Sequence, residues 1–168
     1  MDAVFLLEQA LNGLGYGLML FLLAAGLTLV FGIMDTLNLA HGSLFMAGGY
    51  LSASVHTQTG SFTLAIAVGI VATVALAAVL EAVLVRKLYV RDHLSQVLAT
   101  FGVVLVADDV VKYLWGPSPI MAPTPTALSG PVDLFGFLPY PSYRLLILAA
   151  GLGAALALYL LVNHTKLG

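Results

Sequence analysis

Three groups of polar residues stand out in this chain. The first is Asp35, Thr36, Asn38, His41 and Ser43, inside Met34–Tyr50 and punctuated by Gly32, Gly42, Gly48 and Gly49. The second is Asp108, Asp109 and Lys112, and the third is Glu81 with Arg86 and Arg91. An amide, an imidazole, hydroxyls and carboxylates of this kind bind small polar solutes or protons, or they pair with backbone groups and with each other. They form no catalytic arrangement: no phosphate-binding glycine loop, no Ser-His-Asp set and no paired catalytic carboxylates. A metal site is also not indicated, because no second His or acidic cluster lies at ligand spacing from His41. There is no cysteine, which excludes disulfides and thiolate sites.

The surroundings of these residues define the class. Of 168 residues 61% are hydrophobic and 8% charged; a soluble domain carries about 25% charged residues. The balance, with several long apolar runs, makes this an all-α integral membrane protein in contact with the lipid bilayer. A net charge of −2 and the lack of a basic patch give no sign of nucleic-acid binding. The N-terminus holds Asp2 and Glu8 but no nearby Lys or Arg. A secretory signal needs a positive start, so the first apolar segment is expected to stay in the mature chain.

A hydrocarbon core of about 30 Å takes about 20 apolar residues in a helix. About five transmembrane segments are predicted: residues 10–33, a short one at 42–58, then 62–88, 94–115 and 143–163. The first holds Gly13, Gly15 and Gly17, small residues that allow close packing between helices. Arg86, Lys87 and Arg91 cluster between the third and fourth segments, which makes that loop cytoplasmic. Residues 116–142 then form an external loop holding all seven prolines, irregular and partly extended. Within it, residues 132–137 have the pattern of a short hairpin. Segment five returns inside and ends at His164 and Lys166. Counting back puts residues 34–41 towards the cytoplasm and the N-terminus outside, a parity that fails if the interruption is re-entrant.

The interruption near residues 34–43 breaks one apolar helix from the next. Discontinuous helices of this kind often line transport pathways. Helical spacing would put Asp35, Asn38 and His41 on one face, lining a route or holding the break for gating. Equally, Asn38, His41, Gly42 and Ser43 belong to a stretch whose side chains simply satisfy freed backbone groups. In the fourth segment a charge is costly. Lys112 follows Asp108 by four residues, so the two can pair on one face, while Asp109 needs a neighbouring helix or water. Proton or cation coupling is the functional alternative. Glu81 is within reach of Arg86 or Arg91 as an interfacial ion pair.

With these residues in view, the chain resembles a known family. Asn12-Gly13, then Gly26 to Met34, Leu37-Asn-Leu-Ala-His-Gly-Ser-Leu-Phe-Met46 and Gly48-Gly-Tyr50 are similar to the inner-membrane permeases of branched-chain amino acid ABC importers. The match continues through Gln96 to Gly102, Asp108-Asp109, Leu114 to Pro117 and Thr165 to Gly168, so it spans nearly the whole chain in order. Many members carry Phe where Leu39 stands and an acidic residue where Ser43 stands.

The resemblance implies a single transmembrane permease domain over residues 1–168, itself a portion of a longer family domain. It implies a multi-pass protein of the bacterial inner (cytoplasmic) membrane. Its partners would be a second related permease, two cytoplasmic ATPase subunits and a periplasmic binding protein. The chain itself would not be an enzyme and would hold no cofactor, since ATP is bound by those partner subunits. Substrates across the family include branched-chain and other amino acids, short amides and urea. Family members run to nearly twice this length, so the chain is expected to be an N-terminal portion, a truncated product or half of a split permease, and not to transport alone. Two rivals stand beside this reading: an ion-coupled secondary transporter using Asp108, Asp109 or Glu81, and a helical scaffold subunit that does not transport.

Overall fold

The computed structural model describes residues 3–121, 123–125, 128–134, 136 and 138–164. Asp2, Phe135, Phe137, Lys166 and the motif at 165–168 lie outside the described residues. The order is α1 (Ala3–Met34), α2 (His41–Thr59), α3 (Phe62–Leu88), α4 (His93–Trp115), a hairpin of β1 (Pro131–Leu134) and β2 (Leu138–Pro141), and α5 (Ser142–His164). Among the described residues, four helices are long and apolar enough to cross a membrane: Val4–Gly32, Phe62–Leu88, His93–Trp115 and Ser142–His164.

The expected fifth span is α2. It has the length, at 19 residues, but three Ser, two Thr, two His and three Gly make it less apolar than its neighbours. Helix α1 starts well before residue 10, because Val4 to Gln9 contain no breaker and the winding runs on past the apolar span. The other boundaries fall within a residue of those read from the sequence.

The chain divides into two compact units, residues 27–123 and residues 1–26 with 124–168. In the first, α2 packs against α3 and α4. Gly60 closes α2 with a left-handed φ of 69°, its N–H donating to His56 O at 2.8 Å; glycine takes that conformation without steric cost. Ser61 then caps α3, its hydroxyl accepting from Leu64 N–H at 3.3 Å. Helices α2 and α3 approach closely: a methyl group at Gly69 would sit 1.9 Å from Ser52 Oγ, and one at Gly48 2.5 Å from Thr73 Oγ1.

Helix α3 contains a π-helical turn at Glu81–Val85. Arg86 N–H donates to Glu81 O five residues back, the bond of a π-helical turn. Their side chains meet as a fork, with Arg86 Nε and Nη2 at 3.2 and 3.1 Å from the two Glu81 oxygens. Tyr89 O–H donates to the same carboxylate at 3.3 Å. Partial burial, and then the Glu81 charge, push the Tyr89 phenol above its ordinary value.

In the second unit, β1 and β2 pair antiparallel with Val132 opposite Tyr140 and Leu134 opposite Leu138. The turn includes Gly136 at φ 75°. Leu138 and Tyr140 are fully buried. Asn12 Oδ1 accepts from Tyr140 O–H at 2.9 Å and from Arg144 Nη1 at 2.6 Å, tying α1, the hairpin and α5 together. Of the three glycines expected to pack closely, only Gly15 faces a neighbour, Leu148 of α5. The tighter approach comes from Gly151 of α5 against Leu18.

Candidate functional site

The interruption between α1 and α2 covers residues 35–40; residues 41–43 already form the first turn of α2. Helix α1 ends on Asp35 at φ 49° with its N–H on Phe31 O at 2.9 Å. Asp is among the few side chains that adopt this left-handed conformation readily. Because residues 35–40 are not helical, Asp35, Asn38 and His41 do not share a helical face, which corrects the sequence-based expectation.

Backbone donors at an interruption must find partners inside the membrane, and here α4 supplies two of them. Leu37 N–H donates to Gln96 Oε1 at 3.0 Å and Leu39 N–H to Thr100 Oγ1 at 3.2 Å. Gln96 Nε2 donates in turn to Leu88 O at 3.2 Å and Arg91 O at 3.1 Å, fixing its amide orientation. Thr100 O–H donates to Gln96 O at 2.8 Å. Gln96 is 2% exposed and Thr100 0%. Gln96 and Thr100 are one helical turn apart, about 6 Å. Two residues of chain cover that distance at about 3 Å each, the rise of extended backbone. From Leu37 to Leu39 the interruption therefore advances along α4 by about one helical turn.

Asn38 plays a local part. Its Oδ1 accepts from Ala40 N–H at 3.0 Å, the side-chain turn typical of Asn. His41 is half-buried, and its ring makes no hydrogen bond among the described residues. Its backbone N–H reaches Asn38 O at 3.4 Å. Gln96 and Thr100 were the residues the sequence reading missed as holders of the break. The available signal was a pair of polar residues four apart in an apolar helix, hence on one face.

The interruption and α2 follow α4 in the same direction. Leu39 bonds to Thr100, and Ser54 Oγ accepts from Trp115 Nε1 at 2.5 Å; both contacts join residues 61 apart. Chain and helix thus run parallel. Beyond Ser54, His56 Nε2 bonds to Pro123 O at 2.9 Å and its ring meets Phe62 edge-on. At the other end Asp92 caps α4, accepting from Ser95 O–H at 2.6 Å and Ser95 N–H at 3.1 Å. These bonds hold the Asp92 carboxyl below its ordinary value.

An open groove of about 280 Å³ lies where the first turns of α2 face α4. It is lined by Leu39, Gly42, Ser43, Met46, Leu105 and Asp108 among others. The structure so brings Gly42 and Ser43 together with Asp108, while Asn38 and His41 stay out of the groove lining. Lys112 Nζ lies 2.5 Å from Asp108 Oδ2, and Asp109 is exposed. Among the described residues no cluster of His, Asp or Glu is placed to hold a metal ion.

Four helices long and apolar enough to cross a membrane, with an interrupted segment held against one of them, are the architecture of a multi-pass membrane protein. The chain matches the family of branched-chain amino acid transport system permease components over residues 9–168, and it belongs to that family. It is similar to the high-affinity branched-chain amino acid transport system permease protein BraD of Pseudomonas aeruginosa, 30% identical over 114 residues. That match covers 62% of this chain and 37% of BraD. It is also similar to LivH of Escherichia coli, a permease protein of the same kind, 26% identical over 130 residues, 72% of this chain and 42% of LivH. LivH of Salmonella typhimurium is 41% identical over 49 residues, 29% of this chain and 16% of that protein. These matches reach less than half the length of each relative. No solved structure matches.

Proposed function

We propose that the chain is a membrane-spanning permease subunit of an ABC importer. It passes branched-chain amino acids or related small polar solutes into the cytoplasm, driven by ATP hydrolysed on partner subunits. In this reading it sits in the bacterial inner membrane with a second related permease, two cytoplasmic ATPase subunits and a periplasmic binding protein. It holds no cofactor of its own. The observation that carries the reading is the interrupted helix. Non-helical backbone at membrane depth is tolerated where it is buried in protein or lines a cavity, and this segment leads into a groove bearing Ser43 and Asp108. The family's printed role as a transport permease supports the direction.

The test is ATP-dependent uptake of radiolabelled leucine by proteoliposomes holding the assembled importer. Uptake that needs the ATPase subunits and survives a protonophore supports the reading. Uptake abolished by the protonophore without any need for ATPase would assign Asp108 and Asp109 to ion coupling instead. Unimpaired uptake after Gln96→Leu and Thr100→Val together, with normal assembly, would reduce the interruption to scaffolding. His41→Leu is expected to assemble normally, since its ring holds no partner among the described residues.

A further inference from the structure

The second unit holds a cation that no acid answers. Arg144 is the third residue of α5, about 3 Å from its start, so it stands near a membrane surface. Asn12 bonds to Arg144, Gly15 faces Leu148 and Leu18 faces Gly151; α1 and α5 therefore run parallel there. A guanidinium has five N–H groups. Two are used, Nε on the Tyr143 hydroxyl oxygen at 3.0 Å and Nη1 on Asn12 Oδ1 at 2.6 Å. Nη2 bonds to nothing among the described residues. No carboxylate pairs with Arg144 either: the ion pairs among those residues are Glu81–Arg86 and Asp108–Lys112.

The side-chain acceptors beside it are engaged, and donors remain. Asn12 Oδ1 accepts from Tyr140 O–H and Arg144 Nη1. That fixes the amide and leaves its Nδ2 without an acceptor among the described residues. Tyr143 oxygen accepts from Arg144 Nε, so its own O–H is left to give. Nη2 and Nδ2 are not sealed in, because the one buried side-chain nitrogen or oxygen without a partner among the described residues is His56 Nδ1. They open on a groove of about 340 Å³ between α1 and α5. Asn12, Tyr143 and Arg144 form its polar end, and Gly15, Met19 and Leu148 continue it as apolar surface. Met19 lies about 10 Å along α1 from Asn12. Tyr16, also in the lining and 72% exposed, sits at the depth where tyrosine collects in membranes. The nearest carboxylate on α1, Glu8, is one turn before Asn12 and outside the lining.

An unpaired guanidinium with unused donors beside it favours an anion. A groove that is polar near the membrane surface and apolar below favours an anion carrying an acyl chain. The planar fork of Arg matches phosphate oxygens, and basic pockets between membrane helices bind anionic head groups. We infer that this groove binds one anionic glycerophospholipid. Arg144 Nη2, Asn12 Nδ2 and the Tyr143 hydroxyl take the phosphate, and the first part of an acyl chain lies along Gly15, Met19 and Leu148. The site needs a bilayer and no particular solute, so it stands apart from the importer reading.

The assembled complex holding this chain is purified in detergent, stripped of lipid and titrated with dioleoylphosphatidylglycerol, and bound lipid is counted by native mass spectrometry. Asn12→Asp separates a lipid site from a structural tie. It keeps an oxygen for Tyr140 and Arg144, so it keeps the tie, but it removes the Nδ2 donor and neutralises the guanidinium. The first binding step is expected to weaken about tenfold or more, with lipid-free melting no lower than wild type. Arg144→Gln should weaken the step as well. Tyr140→Phe, which removes a bond of the tie and no phosphate donor, should leave it unchanged. Dioleoylphosphatidylethanolamine is expected to bind more weakly than the glycerol lipid, and millimolar inorganic phosphate is expected not to displace it. Unchanged binding in Asn12→Asp overturns the site, equal binding of the ethanolamine lipid overturns the anionic preference, and displacement by phosphate alone overturns the lipid. The comparison of the two lipids and phosphate on the unmodified protein stands even if a variant fails to assemble.

Discussion

Helix α2 is held by two neighbours in two different ways. Against α4 it is bound by directional hydrogen bonds at both ends: Gln96 and Thr100 on the backbone of the interruption, Trp115 on Ser54. Against α3 it is bound by closeness, with Gly48 and Gly69 bringing backbone and short hydroxyl side chains together. Water and lipid explain the division. Lipid gives helices no hydrophobic drive to associate, so apolar contact depends on close fit and small residues. A non-helical strand cannot be held that way, because its freed N–H groups each need an acceptor. The α3 seam tolerates loss of polarity but not added volume; the α4 seam tolerates small changes of volume but not loss of an acceptor.

Gln96→Leu attacks the α4 seam where most bonds converge and is expected to have the largest effect. It strands Leu37 N–H and the carbonyl of Arg91, while Leu88 O keeps the Arg91 N–H, at about 1–3 kcal/mol for each buried group. Melting of the detergent-solubilised importer reads it. Gln96→Glu retains the acceptor for Leu37 and loses the two donors, so it divides the effect between the strand and the loop. A Gln96→Leu protein as stable as wild type would erase the contrast.

Next is Gly69→Val, which attacks the α3 seam. Ser52 can rotate its hydroxyl away from one added methyl group, but the branched carbons also meet Gly48 O, 3.4 Å from the position of the first. Overpacking of this kind costs about 1–3 kcal/mol. Gly69→Ala combined with Ser52→Ala should melt near wild type, and Gly69→Val combined with Ser52→Ala should not. Rescue of the Val variant would show that the seam has slack.

Thr100→Val is expected to cost less than either. The shape is conserved and one N–H, that of Leu39, loses its acceptor, about 1–3 kcal/mol if the group stays dry. The pattern to look for is protection of the Leu39 amide in hydrogen exchange, lost with Leu39 alone while that of Leu37 persists. Joint loss would mean that the two bonds act as one unit.

The smallest effect belongs to the Asp92 cap, outside the membrane span. Its folded-state carboxyl titrates below the ordinary 3.8 because Ser95 bonds the charged form. Such a group stabilises the fold above its unfolded value and loses that contribution as pH falls through the depressed one. Melting should therefore decline slightly on acidification below about pH 4, and Asp92→Asn, which caps without ionising, should flatten that decline. An unchanged slope would place the acid sensitivity elsewhere.

The spans were legible because apolar runs of 19 or more residues are set by bilayer thickness alone. The Asp108–Lys112 and Glu81–Arg86 contacts were legible as spacings within single helices. The π-helical turn that makes the second one bidentate left no mark in the pattern. The interruption was visible from its glycines and polar residues, though drawn wider than residues 35–40. Its supports were not. Gln96 and Thr100 act on backbone N–H groups about 60 residues away, and a backbone donor has no side chain to advertise it. His41 can both donate and accept, yet that versatility does not predict which group a freed N–H will find.

The π-helical turn at Glu81–Val85 changes the phase of everything after it. An ordinary helix turns about 100° and rises 1.5 Å per residue, so one surplus residue rotates Arg86–Leu88 by about 100° relative to the apolar stripe upstream. The cationic tip of α3 is therefore aimed by an insertion in the chain's length and not by its hydrophobic pattern. Winding residues 81–85 as ordinary α-helix with every residue kept would leave the composition of the helix intact while swinging Arg86 and Lys87 round to a different quadrant.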